Sequence, residues 1–142
     1  MTSDGSTTVV PSETILLVDD EVLVRMVIAS YLRECGYRVI EAMNTAEALM
    51  VLQTDDVVID AVLNSVEMPG PMNGFELAVW LRKNRPGIPI VLAGTAEKAA
   101  KKAQEICKEA TMLSRPYESE IVLREIRRML GGWQKQDKAP LG

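Results

Sequence analysis

The chain has 142 residues, of which 47% are hydrophobic and 25% charged. These values are ordinary for a globular protein, and the length predicts one domain with one core. The net charge of −4 argues against nucleic acid as the main partner, because nucleic-acid binding needs a basic face. The chain contains no histidine, which removes the commonest general base and zinc ligand and any phosphohistidine of its own.

No apolar run approaches the length of a membrane span, and the first residues carry neither a basic nor a hydrophobic signal region. We therefore expect a cytoplasmic protein with no membrane partner. The two cysteines, Cys35 and Cys107, lie far apart without a CxxC spacing, each in a helical pattern. Both are expected to be small buried hydrophobic residues.

Residues 1–12 are polar and predict a flexible leader. Short apolar runs follow, and their continuous hydrophobicity is typical of strands covered on both faces. The runs predicted as strands are Thr14–Val18, Tyr37–Glu41, Val57–Leu63, Ile88–Leu92 and Thr111–Leu113.

Helical patterns separate these runs. The first carries an apolar stripe and stops at Gly36; its members are Val24, Val27, Ile28, Tyr31 and Leu32. The second is expected to be capped by Thr45, and the third carries Leu77, Ala78 and Leu81. A charged, alanine-rich helix is predicted over 96–109, and a last helix ends near Leu130. Residues 131–142 are a polar tail.

Strands and helices that alternate five times predict an α/β domain over 13–130, with a five-stranded parallel sheet doubly wound by helices. Sites in such sheets form beyond the carboxyl ends of the strands. The residues at those positions are Asp19, Asp20, Ser65, Gly94, Thr95 and Arg115.

Three motifs in this order resemble the receiver domain of bacterial response regulators, over residues 13–130. They are ILLVDDE at 15–21, Met-Pro-Gly at 68–70 with Asn73-Gly74, and Arg-Pro-Tyr at 115–117. The resemblance implies the flavodoxin-like receiver fold and a role in two-component phosphorelay signal transduction. In that role an aspartate accepts a phosphoryl group from a kinase histidine while Mg²⁺ lies in the acidic pocket.

The chain departs from the family at the phosphoacceptor, which the motif places three residues before Met68. Ser65 stands there. Asp60 is expected at the opposite end of the sheet, and strand alternation points Asn64 to the other face, so neither replaces it. A serine hydroxyl is un-ionised near neutral pH and needs a neighbouring base to act as a nucleophile.

The family's other chemical positions also differ. Arg115 replaces the lysine that binds the phosphoryl oxygens, and its planar guanidinium is not equivalent. Spacing puts Gly94 at the switch hydroxyl, with Thr95 one residue later, and Met112 replaces the aromatic switch partner. The pocket is therefore interpreted as degenerate.

The family's metal positions match Asp19, Asp20 and the backbone carbonyl of Glu67. Two carboxylates with water can bind Mg²⁺, but Arg115 could neutralise the pocket instead. We therefore expect either no cofactor or a weakly bound Mg²⁺.

The first helix carries a second apolar stripe, formed by Val22, Met26 and Ala29. The family docks onto kinase helices with this helix, so the stripe is either a partner surface, chiefly Val22 and Met26, or additional core packing.

These observations predict a stand-alone, non-enzymatic receiver domain. It is expected to bind a histidine kinase, a phosphotransfer protein or another regulator independently of phosphorylation. Two alternatives stay open: a phosphoacceptor that uses Ser65 or another residue, and a cofactor-binding or enzymatic protein on a flavodoxin-like fold. The oligomeric state and the partner's identity do not follow from the sequence.

Overall fold

The computed structural model describes residues 13–66, 68, 70, 72–110 and 124. Four strands alternate with four helices along this part of the chain. In chain order they are β1 (Thr14–Val18), α1 (Val22–Glu34), β2 (Arg38–Ala42), α2 (Thr45–Leu52), β3 (Ala61–Ser65), α3 (Gly74–Asn84), β4 (Ile90–Ala93) and α4 (Ala96–Ala110).

The strands form one parallel sheet in the order β2-β1-β3-β4. Every residue of β1 is buried, as its continuous hydrophobicity predicts for a strand covered on both faces. The α/β class and the parallel sheet are thus confirmed. The predicted fifth strand at 111–113 and the predicted last helix lie outside the described residues, apart from Arg124.

Helices cover both faces of the sheet. Side chains along β1 point alternately to the two faces, so the core consists of two layers. Ile15 and Leu17 pack with α1 and α4, whereas Leu16 and Val18 pack with α2 and α3. The α4 helix therefore lies on the α1 face, where an alanine stripe brings it close to its neighbour. No described helix is long and apolar enough to cross a membrane.

The third strand starts later than its apolar run suggested, at Ala61 instead of Val57. Asp60 precedes it at the amino-terminal end of the sheet, where its carboxylate accepts a hydrogen bond from the Thr14 N–H at 2.8 Å. The expectation that Asp60 lies away from the carboxyl edge is confirmed. The fourth strand likewise begins after Pro89, at Ile90.

Two helix ends show how local signals act. Gly36 adopts a φ of 101° after α1, and the Tyr37 N–H donates to the Leu32 carbonyl at 3.2 Å, as in a Schellman motif. At the start of α2, Asn44 is the cap, and its side chain accepts from the Glu47 N–H. The expectation of a Thr45 cap is wrong by one residue, because the Thr45 hydroxyl donates to the Met72 carbonyl instead.

The two cysteines form a disulfide between Cys35, at the carboxyl end of α1, and Cys107 in α4. Their α carbons lie 5.7 Å apart, and both residues are buried. The expectation of burial is confirmed, but the interpretation as two separate small hydrophobes is wrong. The packing of α4 on α1 brings together residues that are 72 positions apart in sequence.

Candidate functional site: an acidic pocket at the carboxyl edge of the sheet

A pocket of about 130 Å³ lies at the carboxyl edge, where β1, β3 and β4 end. Five predicted site residues line it together: Asp19, Asp20, Ser65, Gly94 and Thr95. Glu21, Val24, Ala93 and two residues of α4, Ala96 and Ala99, complete the lining. The remaining predicted members, Glu67, Met112 and Arg115, lie outside the described residues.

Asp19 is the buried acid of the pocket, with 8% of its surface exposed, whereas Asp20 is exposed. One carboxylate oxygen of Asp19 accepts a hydrogen bond from the Glu21 N–H at 2.9 Å. Burial raises the pKa of Asp19 to about 6, and the neighbouring Glu21 and Asp20 carboxylates add to this rise. The Glu21 N–H and the Arg25 charge oppose it. Asp19 therefore changes its charge close to physiological pH.

Arg25 is a residue of this region that sequence reasoning missed. Its Nη1 donates to the Asp19 backbone carbonyl at 2.8 Å, and its Nε contacts the Glu41 carboxylate at 3.0 Å. The second oxygen of Glu41 lies 3.2 Å from Arg33. In the sequence, Arg25 follows Glu21 by one helical turn, and Glu41 lies on the strand next to β1. These positions could have indicated that Arg25 lies close to the acidic residues. The network ties α1 to β2 beside the pocket.

Ser65 and Asn64 occupy opposite faces of β3, as strand alternation requires. Ser65 is partly buried, pairs with Ala93 on β4 and lines the pocket. Asn64 is fully buried on the other face, where its Nδ2 donates to the Gly74 carbonyl at 3.1 Å. The expected orientation of Asn64 is confirmed.

The two switch-like positions after β4 differ in chemistry. The Thr95 hydroxyl accepts the Lys98 N–H at 3.1 Å, so this side chain caps α4. Gly94 is exposed, and a Cβ added there would meet no atom within 4 Å. Thr95 therefore supplies a hydroxyl already used by its helix, whereas position 94 has room for one.

The donor set of the pocket contains two carboxylates of the kind that bind Mg²⁺. Asp19 and Asp20 supply the hard oxygen ligands that this ion prefers, and Mg²⁺ commonly keeps several waters. Ser65 adds a hydroxyl to the same lining. Within the described part of the chain, no group of three or more His, Cys, Asp or Glu residues is arranged to hold a metal.

The second apolar stripe of α1 is divided by the structure. Val22 and Met26 are 48% and 51% exposed, whereas Ala29 is fully buried against α4 and the sheet. Of the two alternatives for this stripe, additional core packing therefore holds for Ala29, because α4 covers that side of the helix, whereas Val22 and Met26 are exposed. Val22 begins α1 directly after the acidic Asp19–Glu21 segment, so an exposed apolar pair lies beside the pocket.

A doubly wound parallel sheet with paired acids after its first strand defines a class of signalling domains. The chain matches the family model of the response regulator receiver domain over residues 15–126, and it belongs to that family.

Two sensor kinases similar to this chain are much longer than it is. It is 30% identical to the autoinducer 1 sensor kinase/phosphatase LuxN of Vibrio campbellii, over 90% of this chain and 14% of LuxN. It is 34% identical to the sensor kinase CckA of Brucella abortus, over 89% of this chain and 13% of CckA. The chain thus spans about one seventh of these relatives.

Solved structures show the same architecture. The response regulator TrrA of Thermotoga maritima, in complex with Mg²⁺–BeF, superposes with a TM-score of 0.58 at 27% identity, covering 70% of this chain and 99% of TrrA. A receiver domain protein of Methanospirillum hungatei gives a TM-score of 0.56 at 22% identity, covering 89% of this chain and 99% of the other. The second likeness concerns the fold alone.

Proposed function

We propose that this chain is a non-enzymatic receiver domain of a two-component pathway that acts by binding other signalling proteins, without an aspartyl phosphate at its pocket. The observation that carries the proposal is the position of Ser65 at the carboxyl end of β3, in the same pocket as Asp19 and Asp20. In this proposal position 65 is the family's acceptor position, and it holds a hydroxyl in place of a carboxylate.

A hydroxyl at this position is a poor phosphoacceptor for a chemical reason. It must lose its proton to become nucleophilic, which calls for a neighbouring base. The chain has no histidine, and the buried pocket acid, Asp19, already accepts the Glu21 N–H.

This pocket contains less negative charge for a metal to neutralise than a phosphorylated pocket would. Mg²⁺, when bound, would neutralise negative charge, and Asp19, Asp20 and the Glu67 carbonyl would hold it. Arg25 already offsets part of the charge on Asp19, and the sequence places Arg115 at the family's cationic position. We infer that Mg²⁺ binds weakly and is not required for folding.

The proposed partners are a histidine kinase, a phosphotransfer protein or another regulator, in the cytoplasm. Two sensor kinases, LuxN and CckA, contain regions similar to this chain, which supports partners of that class. The exposed pair Val22 and Met26 lies beside acidic residues. It suits a partner helix with an apolar stripe flanked by basic side chains.

The test is phosphotransfer with Mg²⁺, from acetyl phosphate and from a purified histidine kinase. The parent chain should form no base-labile acyl phosphate, and Ser65→Ala should behave identically. Ser65→Asp should label weakly, and Ser65→Asp with Arg115→Lys should label more strongly, since the lysine is the family's phosphoryl ligand. Stoichiometric labelling of any aspartate in the parent would overturn the proposal, and a hydroxylamine-resistant phosphate ester on Ser65 would favour the serine acceptor.

A further inference from the structure

The helices α1 and α4 both begin at the pocket and are covalently joined away from it. Both begin at its rim, α1 after Asp19–Glu21 and α4 after Gly94–Thr95. Near their other ends they are joined by the Cys35–Cys107 disulfide, whose residues are only 1% and 2% exposed. A covalent bond thus connects the two helices that flank the site.

The noncovalent contact between these helices is modest by comparison. The buried α4 residues that face α1 are mainly alanines, namely Ala99, Ala100 and Ala103, and each buries little apolar area. A hydrogen bond adds to this contact, because the Tyr37 hydroxyl donates to the Ile106 carbonyl of α4 at 3.1 Å. The disulfide is therefore the strongest single connection that the described residues provide between α4 and the α1 face.

We propose that the Cys35–Cys107 pair is a redox-sensitive strap that fixes α4 on the α1 face and is released by a dithiol reductant. The two reductant thiols supply two electrons and two protons to the sulfur–sulfur bond. Cys35 and Cys107 become thiols, and the reductant becomes a disulfide. Because these 142 residues contain two cysteines, no other thiol among them can exchange with the pair.

Burial of the sulfur atoms makes release depend on movement of α4. A thiolate must reach one of the two sulfurs, and both cysteines are closed to solvent while α4 stays packed. Reduction therefore proceeds through local opening of α4, and oxidation recloses it. Disulfides in reducing compartments are usually catalytic or redox-sensing, and no catalytic CxxC pair is present here. The inference is independent of the phosphate chemistry proposed above.

Hydrogen exchange of the full chain, oxidised and after treatment with dithiothreitol, tests the strap. Alkylation followed by mass analysis counts the thiols in each sample. Reduction should accelerate amide exchange in Ala96–Ala110 by at least about tenfold, while α3, on the opposite face, stays within about twofold. The melting temperature should fall by about 10 °C.

The Cys35→Ser/Cys107→Ala variant should show the amide exchange and the melting temperature of the reduced parent. Dithiothreitol should change neither. If that variant fails to fold, the reduced parent still gives the measurement. Two alkylatable thiols that persist after treatment with oxidised glutathione would overturn the strap, because the bond then does not form in the folded chain. Complete reduction without faster exchange in α4 would overturn it equally.

Discussion

Gly74 packs directly against the backbone of Ser65. A Cβ on Gly74 would overlap the Ser65 carbonyl oxygen and lie 2.9 Å from the α carbon of Val66. The Gly74 N–H also donates to the Val66 carbonyl at 3.1 Å, and its own carbonyl accepts from Asn64. The start of α3 and the end of β3 are thus joined through a residue that has no room for a side chain.

We therefore expect Gly74→Ala to destabilise the fold by about 2–4 kcal/mol, since the neighbouring atoms are backbone and cannot move aside cheaply. Urea unfolding measures the change. Gly87→Ala is the matched control, because a Cβ there meets no atom within 4 Å, and it should change stability by less than about 1 kcal/mol. Equal effects of the two substitutions would contradict the close packing.

Asp19 predicts a particular pH dependence of stability. Its pKa rises from the ordinary 3.8 to about 6 on folding, so between these values the folded chain binds more protons than the unfolded chain. The contribution of Asp19 is therefore fully present below about pH 4 and is lost as the pH rises through 6. The free energy of unfolding at pH 7 should thus increase in Asp19→Asn, by up to about 3 kcal/mol.

The asparagine keeps an oxygen that can accept the Glu21 N–H, so this variant removes mainly the buried charge. Urea titrations from pH 4 to pH 7 provide the measurement. Asp20→Asn, at an exposed position, should reproduce little of the gain. An Asp19→Asn variant that is no more stable than the parent at pH 7 would rule out burial of a charged Asp19 as a destabilising feature.

Two arginines contact Glu41, but they should differ in importance. The side chain of Arg25 is 14% exposed and also donates to the Asp19 carbonyl, whereas that of Arg33 is 49% exposed. We expect Arg25→Met to cost about 1–2 kcal/mol and Arg33→Met less than about 0.5 kcal/mol. Chemical denaturation compares them, and NMR titration should show the pKa of Asp19 rising further in Arg25→Met only. Equal costs would mean that the contact with Asp19 adds nothing.

The exposed pair on α1 can be separated from the core by experiment. Met26→Glu and Val22→Lys should leave circular dichroism and melting unchanged, because both positions are about half exposed. Ala29→Glu, at a fully buried position one turn further along, should unfold the domain. If the two surface variants abolish capture of a cognate kinase in a pull-down while staying folded, the pair is the partner surface. Normal binding would place the interface elsewhere.

The sequence predicted what depends on local pattern. The buried β1, the stop at Gly36 and the acidic pocket at the carboxyl edge follow from apolar runs, turn residues and parallel topology. Long-range packing was not predictable in the same way. The alanine stripe of α4 fits several surfaces, so neither its place on α1 nor the Cys35–Cys107 bond followed from spacing. The burial of Ala29 and the role of Arg25 depend on the same tertiary contacts.

Asn64 and Ser65 are neighbours on β3, and their side chains lie on opposite faces of the strand. Asn64 belongs to the scaffold, since its amide anchors the start of α3 from inside the core. Ser65 is partly buried and lines the cavity at the carboxyl edge. Substitution at position 65 is therefore expected to change the lining of the pocket while the hydrogen bond from Asn64 to Gly74 stays in place. Position 65 is thus open to protein engineering, because the chemistry of the pocket can be altered there without touching the side chain that holds the start of α3.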